Sequence, residues 1–166
     1  MSYVHIGHFA ARGEPGDGGE WFARDGTSEF VRIERNLAGA WPALQPDSRA
    51  LVSWTGCLTR TFGQRREGAI TYLLEYPVPL DYLHEFDAWF CYEHMPLLLD
   101  EPTWYGCDFF RALAPSMYTF AAIHSLEPGA LKSPARDRSV STPWWNRLKQ
   151  HAWFDKGFVR AILRRA

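Results

Sequence analysis

From residue 69 onward, strand-like and helix-like segments follow one another in the order β-α-β-β-α-β, and few compact architectures accept that order. Residues 69–78, AITYLLEYPV, are β-branched and aromatic enough for a strand. Asp81 is placed to cap a helix over about 81–95, in which Leu83, Phe86 and Phe90 recur on one stripe. That helix is expected to stop at Pro96, because a residue before proline is pushed out of helical geometry. Residues 97–100 make a short turn to Glu101-Pro102. Residues 104–114 read as a strand, Ala114-Pro115-Ser116 as a turn and 117–127 as a further strand. The three prolines of 128–143 leave room for at most a short helical turn. Thr142 then caps a helix with Pro143 at its first position, running to Gly157, and residues 158–165 close as a last strand.

The first 66 residues are less regular. Residues 3–11 alternate like a strand. Residues 13–27 read as loop, with five glycines, a proline and several acids. Ser28 is placed to cap a short helix through FVRIERNLAGAW, stopped by Pro42 and Pro46. Residues 49–62 form a strand, and the 63–68 turn offers to join it to 69–78 as a hairpin. The expected division is therefore an N-terminal extension, 1–66, in the manner of a reduced β-α-β half-repeat, and a ferredoxin-like α+β domain, 67–166, with an antiparallel sheet.

At 166 residues the chain buries a core without disulfides. Net charge is −1 with pI near 6.6, which argues against nucleic acid or an anionic membrane as partner. Arg65-Arg66 and Arg164-Arg165 are the basic pairs, and solubility accounts for them. Cys57, Cys91 and Cys107 are odd in number and lack CxxC spacing, as expected of reduced thiols in a cytoplasmic protein. Residues 1–19 lack the features of a signal peptide, and no apolar run is long enough to span a membrane. Eight tryptophans in a 16% aromatic chain suit an apolar cavity, a large subunit interface or a Trp-rich core.

Within this order, Glu85-Phe86-Asp87-Ala88-Trp89-Phe90, Glu93-His94-Met95-Pro96, Pro102-Thr103-Trp104, Phe109-Phe110-Arg111, Tyr118-Thr119-Phe120-Ala121, Leu131-Lys132-Ser133-Pro134 and Thr142-Pro143-Trp144 resemble the dimeric α/β-barrel superfamily, in its EthD-like branch. The likeness covers about residues 69–166. Phe90 departs from it, standing where that helix usually carries a tyrosine. The resemblance implies a homodimeric barrel with sheet packed on sheet; the alternative is that residues 1–66 close the barrel within one chain, as a monomer with a pseudo-twofold. Members of the superfamily include cofactor-independent monooxygenases, polyketide cyclases, lactone isomerases and haem binders, so the resemblance leaves the reaction open.

The chemistry is sought at the helix end. On an ideal helix Asp87, Cys91 and His94 share one face. His94 is a candidate general acid/base with Asp87 as its orienting carboxylate; capping the helix C-terminus is its structural alternative. Tyr72, Trp89, Trp104, Phe120 and His124 are expected to line a substrate cavity, His124 equally well as a hydrogen-bonded core residue. Glu93 is expected exposed or paired with Arg111, and Cys107 buried and inert. His5 and His8 face opposite ways on a strand, and His84 and His94 lie about 15 Å apart by helical rise, so neither pair has metal-ligand spacing. GxGxxG, P-loop and GxSxG motifs are absent, and no cofactor is expected. The expected function is acid/base conversion of an apolar, aromatic or polyketide-like substrate without a metal. Cyclisation, isomerisation, dehydration and cofactor-independent oxygenation remain open. The alternatives are a non-catalytic ligand-binding protein and a haem-binding protein.

Overall fold

The computed structural model describes residues 2–13, 19–35, 48–154 and 156–166. Eight antiparallel strands close a barrel: β1 Tyr3–Phe9, β2 Glu20–Arg24, β3 Phe30–Arg35, β4 Val52–Gly63, β5 Ile70–Tyr76, β6 Trp104–Ala112, β7 Phe120–Leu126 and β8 Val159–Arg165. Around the barrel they run β1-β3-β2-β8-β5-β7-β6-β4, with β4 returning to β1. Each half of the chain thus contributes its strands in one and the same spatial order, last-first-third-second. The two halves meet at the β4–β6 and β2–β8 pairings. At the first of these seams Gly63 has φ +59°, and a Cβ there would lie 2.2 Å from the Tyr105 carbonyl oxygen. Only glycine lets the strands approach so closely.

The second half has the expected β-α-β-β-α-β order, and its helices pack on the outside of the barrel. Strand alternation then separates two cores. Leu73, Ala121, Ile123 and Phe110 face inward to meet Val4, Ile6, Val31, Ile33 and Phe22 of the first half. Tyr72, Leu74, Tyr76, Phe109, Phe120 and Ala122 face outward beneath Phe86, Trp89 and Phe90 of the helical layer. The inner face that called for a second subunit is therefore covered within the chain. Near one end of the interior, buried Glu75 accepts a hydrogen bond from Trp54 Nε1 at 2.6 Å. His8 Nε2 approaches the other Glu75 carboxylate oxygen to 2.7 Å, although the two meet outside hydrogen-bond alignment.

Four local expectations change. Residues 30–35 form β3, not a helix, because Val31 and Ile33 alternate into the barrel core; Pro42 and Pro46 lie outside the described residues. Glu20–Arg24, assigned to loop, is β2, its ladder completed by β3 and β8. Residues 52–63 and 70–76 do not pair as a hairpin: β4 pairs with β1 and β6, β5 with β7 and β8. The fourth change bears on the site. The helical layer enters through a 3-10 turn at Leu80–Tyr82 without an Asp81 side-chain cap, and continues as α1 Leu83–Trp89. It then passes through a π turn, Phe90–His94, and on as α2 Met95–Leu99. Pro96 therefore does not end the helix, and Met95 keeps helical angles, φ −65° and ψ −43°. The wide turn, in which Met95 N–H bonds to Phe90 O five residues back, eases the clash a proline ring makes with the carbonyl four residues earlier.

Candidate functional site

The π turn decides where His94 points. Seven ordinary helical steps would return His94 to the face of Asp87; one wide turn rotates it away by about one residue, on the order of 100°. Asp87 instead accepts from Cys91 Sγ at 3.8 Å, while His94 turns under the layer between Trp89 and Trp145, at ring-centroid distances of 4.5 and 6.2 Å. The expected Asp87–His94 pair is not formed. His94 Nδ1 lies 3.2 Å from the carbonyl oxygen of Ser139. A carbonyl only accepts, so Nδ1 carries the proton and Nε2 keeps its lone pair. Burial pulls the His94 pKa down to about 4, against the Ser139 hydrogen bond, which raises it, and with nearby Arg136 lowering it further. At neutral pH His94 is an uncharged imidazole.

His124 on β7 is wired in the opposite sense. Trp104 Nε1 donates to its Nδ1 at 3.1 Å, so the proton sits on Nε2, 3.9 Å from Cys107 Sγ. Both nitrogens are engaged, and burial brings its pKa to about 3. Burial pushes the Cys107 thiol well up. Cys91 is raised to about 11, by burial first and Asp87 second. All three cysteines are free, and neither of these two is poised as a thiolate.

His94, Tyr72, Trp104 and His124 line one cleft between the helical layer and β5, β7 and β8; Leu98, Ser139, Trp145, Phe158, Arg136 and Arg160 complete much of it. Its cavity volume is about 40 Å³, room for roughly two or three waters. Of the expected lining residues, Trp89 and Phe120 are buried behind its wall as core. The walls added by α3, Pro134–Ser139, and α4, Pro143–Leu148, are fixed by matching caps. The Ser133 and Thr142 hydroxyls accept from Arg136 N–H and Trp145 N–H, with Pro134 and Pro143 next in line. Glu93 does not meet Arg111; it accepts from the Thr142 hydroxyl and ties α4 to the π turn. Ser133-Pro134 repeats the helix-start signal read at Thr142-Pro143, so α3 was open to detection.

A closed eight-stranded antiparallel barrel, with the ferredoxin-like order in its second half and an aromatic cleft under the helices, defines an α+β barrel fold. Solved structures agree with that fold. The chain is similar to a major regulator of staphylococcal pathogenesis, 10% identical over 99% of both chains with a TM-score of 0.65. It is similar also to a ferredoxin-fold protein related to antibiotic biosynthesis monooxygenases from Listeria monocytogenes, 11% identical over 100% of this chain and 95% of that one, TM-score 0.62. A monooxygenase-like protein from Listeria innocua is 12% identical over 100% and 94%, TM-score 0.58. At these identities the likeness is one of fold. No family model and no curated protein matches the chain.

Proposed function

We propose that this protein is a small-molecule enzyme that takes an apolar, aromatic or polyketide-like substrate into the cleft under the helical layer and converts it by acid/base chemistry. The observation that carries the reading is His94: neutral, held by its Nδ1 proton on the Ser139 carbonyl, and set in an aromatic wall with its Nε2 lone pair uncommitted to Ser139. A substrate C–H or O–H acidified by an adjacent carbonyl, presented to Nε2, loses its proton there. Tyr72, whose pKa burial raises while Arg160 and Arg136 pull it down, stands in the same wall as a phenolic donor. Cyclisation, isomerisation, dehydration and oxygenation without a cofactor all begin with such a step. The EthD-like affinity belongs to this proposal and is supported by the Glu93-His94-Met95-Pro96 segment.

One observation favours a second reading. A base whose conjugate acid has a pKa of about 4 takes protons reluctantly, which suits a ligand-binding protein in which His94 accepts a hydrogen bond. Native mass spectrometry of the protein from its own host, searching for a co-purifying small molecule, identifies the occupant. With it as substrate, His94→Ala is expected to lower turnover by about 10²–10⁴. Binding retained with no turnover in the unaltered protein favours the second reading.

A further inference from the structure

The acid/base reading leaves two cations at the cleft unused. Arg136 on α3 and Arg160 on β8 line the inner cleft and also an outer recess of about 340 Å³, and Tyr72 lines both. Neither has a close carboxylate partner among the described residues. Arg136 Nη1 lies 3.9 Å from Asp137, whose side chain is largely exposed. The Arg160 guanidinium sits over the Phe158 ring, 4.7 Å from its centroid. The recess does contain an acid and a third cation, but both are spoken for: Arg164 holds Asp25 through both carboxylate oxygens at 2.8 and 3.0 Å, and Glu29 holds Arg24 at 2.7 Å. What remains is an aromatic inner cleft, walled by Tyr72, Trp104, Trp145 and Phe158, and a recess beside it, with two guanidinium groups lining both. Both lower the Tyr72 pKa, against the larger effect of its burial.

We infer that the recess selects an aromatic carboxylate, its ring seated against Tyr72 and Leu131 and its anion held between Arg136 and Arg160 where recess and inner cleft share their lining. This rests on the reading of the cleft as a ligand site and names the ligand class. A guanidinium offers paired N–H donors in the geometry a carboxylate accepts, and beside an apolar wall the charge-assisted bonds are poorly screened. A bicyclic ring fits the recess of about 340 Å³ and not the inner cleft of about 40 Å³.

The test is isothermal titration calorimetry of the full chain at pH 7 with 2-naphthoate and with 2-naphthamide, which share shape and differ in charge. Naphthoate is expected to bind at least about tenfold more tightly. Arg136→Gln and Arg160→Gln, each checked for folding by circular dichroism, are each expected to cost naphthoate about tenfold and leave naphthamide unchanged. Either variant alone carries the test if the other misfolds. Equal affinity of the folded protein for both compounds, or a preference for naphthoate that survives the arginine substitutions, overturns the carboxylate assignment and leaves the aromatic site standing. Failure of the folded protein to bind either compound overturns both.

Discussion

His94 and His124 occupy one aromatic shell, their rings both within reach of Phe90, yet carry their protons on different nitrogens. Long-range ¹H–¹⁵N spectra should show His94 as the Nδ1–H tautomer and His124 as Nε2–H, both unchanged from pH 8 to pH 5; a shared tautomer would contradict the wiring. Their depressed basicity also sets a pH dependence. In the unfolded chain both imidazoles protonate near pH 6.5, while in the folded chain they do so near pH 4 and pH 3. Between those limits the unfolded state binds more protons. Stability therefore falls as pH drops from about 6.5, by at most about 1.4 kcal/mol per pH unit for each histidine. Urea midpoints at pH 7 and pH 5 check this, and His124→Asn should flatten the slope. Of these residues, His94 drew attention as a histidine beside an expected proline stop, although the helix runs on past it, and Tyr72 and Trp104 as aromatic side chains suited to a cavity wall. Arg136 and Arg160 did not, because nothing local marks a cation that another element brings to a cleft. Asp87 was wrongly paired because a helical wheel has no place for a wide turn.

That turn belongs to the scale of the element. Local patterning predicted the stripe of Leu83, Phe86 and Phe90 correctly, since Leu83 and Phe86 precede the irregularity and Phe90 only opens it. It misjudged Pro96, whose ring the π turn accommodates. Phe90 starts that turn and stacks on Phe109 at 4.1 Å, fully buried. Phe90→Ala should cost about 3–5 kcal/mol by chemical denaturation. The Thr142 hydroxyl both accepts from Trp145 N–H and donates to Glu93, so it caps α4 and anchors it to the π turn. Thr142→Ala should cost about 1–2 kcal/mol, whereas Thr142→Ser should recover most of it. Strands β2 and β3 escaped detection for a reason at this same scale. The five residues of β2 lie in a glycine-rich stretch, and their pairing energy comes from partners distant in sequence, Ile162–Arg165 among their surroundings. Short strands take their identity from the ladder they join.

At the scale of the molecule, the second half was readable as an ordered series of elements, whereas closure within one chain stood only as the alternative to a second subunit, since it depends on how two halves meet. We propose that residues 1–66 and 67–166 are two copies of one unit, supported by their identical spatial strand order. In that arrangement β1 and β5 correspond, and His8 and Glu75 hold equivalent inward positions that meet across the barrel. Glu75→Ala would strip Trp54 Nε1 of its buried acceptor and should cost about 1–3 kcal/mol. Closure also bears on assembly. An open ferredoxin-like sheet would leave Leu73, Phe110, Ala121 and Ile123 bare, an apolar face too large for a stable monomer, and a second copy is the usual cover. Here Val4, Ile6, Val31 and Ile33 of the same chain bury that face completely. The exposed large apolar side chains among the described residues, Leu51, Leu80, Tyr92 and Met117, come from separate segments of the chain. Sedimentation velocity at micromolar concentration should therefore give a species near 19.1 kDa. A dimer of twice that mass would show that a surface other than the barrel interior drives association.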